Sequence, residues 1–188
     1  MKTNRTLKLI TLTAAIFGFA ATTFAQNTSS TTANAYASII TPIKIVKSAD
    51  LQFGTIYSSA AQQTAVLAAD GTLTDVTPYT GTNSVTATAA SFNVTGNENN
   101  AFAISVSNLP TEVTGVTGGH AAGQTMAIGS WSSNIGITFT GTSGSVANVN
   151  LANGSKSFNI GASLTIAANQ VSGAYSSAAP FTVTVAYE

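Results

Sequence analysis

The run FNIGASLTI, residues Phe158 to Ile166, decides how the rest of the chain is read. Phe158, Ile160, Ala162, Leu164 and Ile166 occupy every second position, with Asn159, Gly161, Ser163 and Thr165 between them. A period of two places one set on one face of a pleated strand, whereas a helix would need apolar residues three and four apart. The same beat returns in Phe102, Ile104 and Val106, in Ile135, Ile137 and Phe139, and in the C-terminal FTVTVAYE, where Phe181, Val183, Val185 and Tyr187 alternate with Thr182, Thr184 and Ala186. Only Glu188 follows. Chain ends usually fray unless tied down, so a sequence that stops on the last beat of a strand calls for a reason.

Working outward, Ala35, Ala37 and Ile39 share parity with Ile43 and Ile45 across Pro42, and Leu51, Phe53 and Thr55 make a second alternating run. Ala65 to Asp70 and Thr72 to Val76 flank Asp70-Gly71, which predicts a two-residue hairpin with positive φ at both central positions. Val85, Ala87 and Ala89 have odd parity but Phe92 and Val94 even parity, so a bulge or bend is predicted at Ala89-Ala90. Met126 and Ile128 continue the pattern. Gly, Asn and Ser clusters separate the runs, and no helical period recurs after residue 25. The prediction is an all-β antiparallel β-sandwich of about eight to ten strands. A transmembrane barrel would place aromatic girdles at both ends of most strands; the aromatics here fall mid-strand.

The start of the chain is set apart. Lys2, Arg5 and Lys8 precede an apolar stretch from Leu9 to Phe24, and Thr23-Phe24-Ala25 offers small residues around a cut after Ala25. Residues 1–25 are predicted to be a secretory signal peptide rather than a membrane anchor, since the stretch is short and carries Thr11, Thr13, Thr22 and Thr23. Residues 26–32 (QNTSSTT) form a polar, flexible leader, and 33–188 the single sandwich domain; no membrane span is expected after signal cleavage. The expected location is outside the cytoplasm: secreted, or in the periplasm or on the surface of a bacterium.

Charged residues make up 6% of the chain, against about 25% in ordinary globular proteins. After the signal segment, Lys44, Lys47 and Lys156 stand against Asp50, Asp70, Asp75, Glu98, Glu112 and Glu188, a net charge of −3. There is no basic patch, so no nucleic-acid partner is expected. Without cysteine, no disulfide staples the fold, and a zinc site has one His and no Cys to draw on. That His120, in TGGHAAG, reads as an exposed loop residue between turn glycines. No G-x-S-x-G elbow, calcium loop or adjacent carboxylate pair occurs. Trp131 with Tyr36, Tyr57, Tyr79, Tyr175 and Tyr187 could stack on sugars, although a sandwich Trp is more often core. No catalytic residue, metal ligand or cofactor is therefore assigned, and an enzyme is not expected.

The segment ANAYASIITPIKIVKSADLQFGTI resembles the opening of a secreted bacterial family of unknown function, number 4402, which carries a T-P-I turn (here Thr41-Pro42-Ile43) and a K-x-x-D-L-x-F-G element (Lys47 to Gly54). AASFNVTG (Ala89 to Gly96), GASLTI (Gly161 to Ile166), Ala168-Asn169-Gln170, Gly173-Ala174-Tyr175 and the final T-V-x-Y strand are similar too. That family in turn resembles the immunoglobulin-like, pilin-like subunits of chaperone–usher fibres, including the spore-coat-U type, in which a neighbour's N-terminal strand completes the sheet. The resemblance implies a structural protein, a subunit of a fimbria-like fibre or extracellular matrix at the cell surface. It implies Ala35, Ala37 and Ile39 as a donor strand for self-association by strand addition. It also implies Phe181, Val183, Val185 and Tyr187 as the face of a C-terminal strand gripped by a periplasmic assembly chaperone or partner. Two departures stand against it: Tyr175 occupies the place of the glycine expected fourteen residues from the end, and the disulfide of such pilins is absent. The competing expectations are a terminal strand that lies centrally between two neighbours, with Tyr175 packing back as a tyrosine corner, and a self-contained glycan- or surface-binding module.

Overall fold

The longest strand organises the architecture. In the computed structural model, which describes residues 28–188, Ser155–Ile166 is one twelve-residue strand that pairs with a different partner along each half of one edge. In chain order the strands are β1 (Lys44–Ala49), β2 (Gln63–Leu67), β3 (Leu73–Thr74), β4 (Ala90–Thr95), β5 (Ala101–Ser107), β6 (Glu112–Gly115), β7 (Thr125–Ser133), β8 (Thr138–Thr140), β9 (Ser143–Asn150), β10 (Ser155–Ile166), β11 (Tyr175–Ser176) and β12 (Thr182–Tyr187). All pairings are antiparallel. One sheet has the order β1-β4-β10-β7-β6-β11, with β2 and β3 continuing beside the far half of β10; the other has the order β12-β5-β9-β8. This is the β-sandwich expected from the alternation, with twelve strands rather than eight to ten because two-residue strands escape a periodicity argument.

The sandwich unit is Ile39–Glu188. Residues 28–38 lie outside that unit, form no strand and are exposed. The signal segment expected over 1–25 lies outside the described residues.

Two clusters fill the interior. In the first, Ala90, Phe92 and Val94 of β4 and Phe158 and Ile160 of β10 meet Phe102, Ile104 and Val106 of β5, with Val149 and Leu151 beside them. Phe92 and Phe158 stack with centroids 5.3 Å apart. The second holds Ala65, Ile128, Ala162, Leu164 and Ile166, and no strand of the four-stranded sheet contributes to it. Its cover is Leu51, Phe53 and Ile56 instead. Leu51, Phe53 and Thr55 were expected to form a strand, but this segment joins no ladder. It makes only two isolated bridges, Gln52 to Thr88 and Ile56 to Pro78, because the chain must arch over the sheet rather than join it. Gly54 permits the arch: its φ is +78°, and a Cβ there would lie 2.8 Å from the Val85 carbonyl oxygen.

Gly161 sits where β10 changes partner from β4 to β2. A Cβ at this position would fall 2.2 Å from the Leu67 carbonyl oxygen. The parity slip at Ala89-Ala90 falls where β4 begins, and both alanines are buried. The hairpin between β2 and β3 is present, but its turn differs from the predicted one. Ala68 N–H donates to Thr72 O and Gly71 N–H to Ala68 O, and only Gly71 (φ +88°) of the Asp70-Gly71 pair is left-handed. The connection is a three-residue loop closed by a left-handed glycine. The Asp70 carboxylate accepts from the Thr72 N–H at 2.8 Å, and this bond holds its pKa below the usual aspartate value.

Phe158→Ala should cost about 3–5 kcal/mol, since it empties a fully buried ring site, read as a lower urea midpoint with unchanged slope. Gly161→Ala should also destabilise, because the added methyl meets backbone that cannot rotate away; a midpoint equal to that of the unaltered protein would show that the strand crossing is loose. A depressed folded-state pKa makes the Asp70 contribution full above the unfolded-state value and lost as pH falls through the folded one. Asp70→Asn should therefore flatten the acid limb of the stability profile.

Candidate functional site

A strand with one partner leaves a row of backbone N–H and C=O groups open to another chain, and folded proteins blunt such edges by shortening, charging or bulging them. Among the described residues, five strands have a single partner. β3 and β11 have two residues each and β8 three. β1 is longer but carries Lys44 and Lys47 and a register shift between Lys47 and Ala49. β12 has none of these protections. It runs six residues, TVTVAY, without charge, glycine or proline, in unbroken register with β5 from Thr182 to Tyr187. The terminal strand is thus an edge, which corrects the expectation of a central strand with two neighbours. It is anchored on one side by β5 and at its end by Glu188, whose Oε2 accepts from Asn148 N–H at 2.7 Å.

The alternation works as expected within it. Phe181, Val183, Val185 and Tyr187 are half-buried against the first cluster, and Thr182, Thr184 and Ala186 are exposed. β1 and β12, edges of different sheets, lie beside one another along one side of the sandwich without pairing, and leave a seam between them. Tyr187 staples one end of this seam. Its hydroxyl donates to the Thr41 carbonyl at 2.7 Å and accepts from the Asn97 N–H. At the other end, Phe181 meets Trp131 edge-on, centroids 5.6 Å apart, and Phe92 likewise at 6.2 Å.

Beyond Phe181 the seam widens into a cavity of about 850 Å³. Its floor includes Val113, Met126, Ile128, Leu164 and Ile166, and its roof the arched segment 51–58 and the segment 170–177. The roof is held by its own hydrogen bonds: Gln52 and Thr88 exchange a pair at 2.8 Å, Thr55 N–H donates to Val85 O at 3.0 Å, and Val116 N–H donates to Ala174 O at 2.9 Å. Tyr175 forms the tyrosine corner anticipated from Gly173-Ala174-Tyr175, donating to Val171 O at 2.6 Å and accepting from Gln170 Nε2 at 2.9 Å.

The residues read as a donor strand belong to no ladder among the described residues. Ala35 and Ala37 are exposed and outside every strand, and Ile39 is 94% exposed. The aromatic residues do not assemble into one platform. Trp131 is in the cavity wall against Phe181, Tyr175 and Tyr187 are tied to backbone, and Tyr57 and Tyr79 pair with each other elsewhere, T-shaped at 5.4 Å. His120 is exposed in its glycine loop. Among the described residues, no three His, Cys, Asp or Glu side chains cluster as a metal site, and no helix is long and apolar enough to cross a membrane.

The fold and its edge define a β-sandwich with one unguarded, C-terminal strand. The chain belongs to the family described as Domain of unknown function (DUF4402), whose model matches residues 43–187. No curated protein and no solved structure is significantly similar to it.

Tyr187→Phe removes one donor and one acceptor from the stapled end of the seam. The expected loss is about 1–2 kcal/mol in urea unfolding, near the lower part of the range for unsatisfied partly buried groups. A smaller loss than about 0.5 kcal/mol would mean that water replaces the hydroxyl on both partners.

Proposed function

We propose that this protein is a non-enzymatic structural subunit that works outside the cytoplasm, at the bacterial surface or in its surrounding matrix, and associates with copies of itself by strand addition at β12. The single observation that carries this reading is the state of that edge. Four of the five single-partner strands are protected by length, charge or irregularity, and the longest regular one, β12, is not. The proposed donor is Ala33 to Ile40, with Ala35, Ala37 and Ile39 on one face. This segment alternates small and medium side chains and contributes to no ladder among the described residues. An added strand gains about 1 kcal/mol net per backbone hydrogen bond, together with burial of Ile39 against the seam. In this reading a periplasmic chaperone would cover β12 before assembly, by the same backbone pairing.

The test compares Gln26–Glu188 with Thr41–Glu188 by light scattering and by detergent-resistant ladders on gels. The longer chain should form multimers and the shorter one should remain monomeric. Thr184→Lys, at an exposed edge position, should shift the longer chain towards monomer by roughly tenfold in midpoint concentration while leaving its melting curve unchanged. If the longer chain stays a folded monomer at high concentration and the shorter one unfolds, the strand closes its own sheet. A self-contained surface- or glycan-binding module then becomes the better reading.

A further inference from the structure

The cavity beside the seam has features that strand addition does not require. Protein interiors are close-packed, with few voids larger than a water molecule. An apolar void of about 150 Å³ already takes up benzene. At about 850 Å³ this one falls within the range of small-molecule sites. It does not close by collapse, because each wall is fixed by hydrogen bonds: the floor by the ladders of β6, β7 and β10, segment 51–58 of the roof by bonds to Val85 and Thr88, and segment 170–177 by the pairing of β11 with β6 at the edge of the floor sheet.

Shape and wall chemistry narrow the occupant. The lining spreads across the neighbouring strands β1, β4, β10, β7 and β6 of the larger sheet, with Leu164 and Ile166 of β10 near its middle. A flexible chain adapts to a space spread out in this way, whereas a rigid fused ring system does not. The wall is aliphatic and aromatic, and its charged side chains, Lys47 and Asp50, are both exposed and paired with each other. No charged group remains inside to hold a carboxylate or an amine, and burying an unpaired charge there would be costly. Several polar wall groups are also engaged: Tyr175 with Val171 and Gln170, Ser58 with the Gln170 carbonyl, and Thr55 Oγ1 with Val85 N–H. What the wall leaves unmet is dispersion contact. The exposed hydroxyls of Ser172 and Ser176 near the opening favour a molecule arriving from water over a lipid still held in a bilayer.

We propose that this cavity is a binding site for one free, uncharged aliphatic chain, such as a medium-chain alcohol or ester. Trp131, the single tryptophan of the chain, lies in its wall and serves as the reporter. Titrating the purified protein with 11-bromo-1-undecanol should quench Trp131 fluorescence by more than half, saturably and at one equivalent. The corresponding carboxylate, 11-bromoundecanoate, should require at least tenfold more. Vesicles of brominated phosphatidylcholine should leave the emission unchanged. Val113→Phe and Ala49→Phe, which fill the space from two sides, should each weaken quenching by the alcohol at least tenfold; native mass spectrometry of the unaltered protein with 1-undecanol gives the stoichiometry even if a variant misfolds. Linear, unsaturated quenching, equal response to the carboxylate, or quenching by the vesicles would each overturn the assignment. Quenching that is saturable in dilute monomer but lost on self-association would give the cavity to a neighbouring copy and overturn it as well. Strand addition at β12 is tested by mass alone, so the two ideas fail separately.

Discussion

Much of this structure depends on one glycine. At Gly161 a single strand passes from one partner to another, and the backbone of Leu67 approaches so closely that no β-carbon fits. Because β10 can serve both β4 and β2 along one edge, the larger sheet extends well past the smaller one. The four strands β12, β5, β9 and β8 cover the half of it that carries Phe92 and Phe158. The other half, with Ala162, Leu164 and Ile166, is left to be covered by chain that is not in a sheet.

That mismatch explains the seam and the cavity together. A strand packs closely on a sheet because its side chains interdigitate at regular spacing; an arched loop does not. Segment 51–58 reaches sideways to Val85 and Thr88 for its hydrogen bonds instead of downward to the sheet, so its apolar residues hang over the floor without filling it. The same arch begins where β1 ends, and so it opens the side of the sandwich on which β12 has no second neighbour. Seam and cavity are one consequence of sheet lengths, seen at two places.

The alternation made the sheets legible because a half-buried strand has no other way to satisfy both water and core. Phe102, Ile104 and Val106, and the five apolar positions of β10, all proved buried. β9 was illegible for the complementary reason. Val146 faces Ile104 and Val149 faces Phe102, so two residues oppose one, and Asn148 takes φ +55° at the break. The irregularity that bends the strand also removes its period. Leu51, Phe53 and Thr55 failed in the other direction, since alternation reports which faces are wet, not whether a neighbour is in hydrogen-bonding reach. The residues of the terminal strand could be named from sequence, but not its edge position, because that is a property of sheet order set by contacts distant along the chain. Nothing local marked the cavity either: its walls come from six strands, β1, β4, β6, β7, β10 and β11, and from the loops between them.

The composition bears on the edge in a way that charge counts alone obscure. Thr182 and Thr184 solvate the outer face of β12, and hydroxyls do this as well as charges would for an isolated molecule. They do nothing for the strand's flank, where protection comes from lysines that repel an incoming strand or from irregularities that spoil its register. A chain with 6% charged residues has few such residues to spend, and those of β1 lie on the opposite bank of the seam. With Tyr187 fixing one end and β5 fixing the register, the edge that remains is rigid as well as uncharged, so a partner strand would meet an ordered template and lose only its own conformational entropy on pairing.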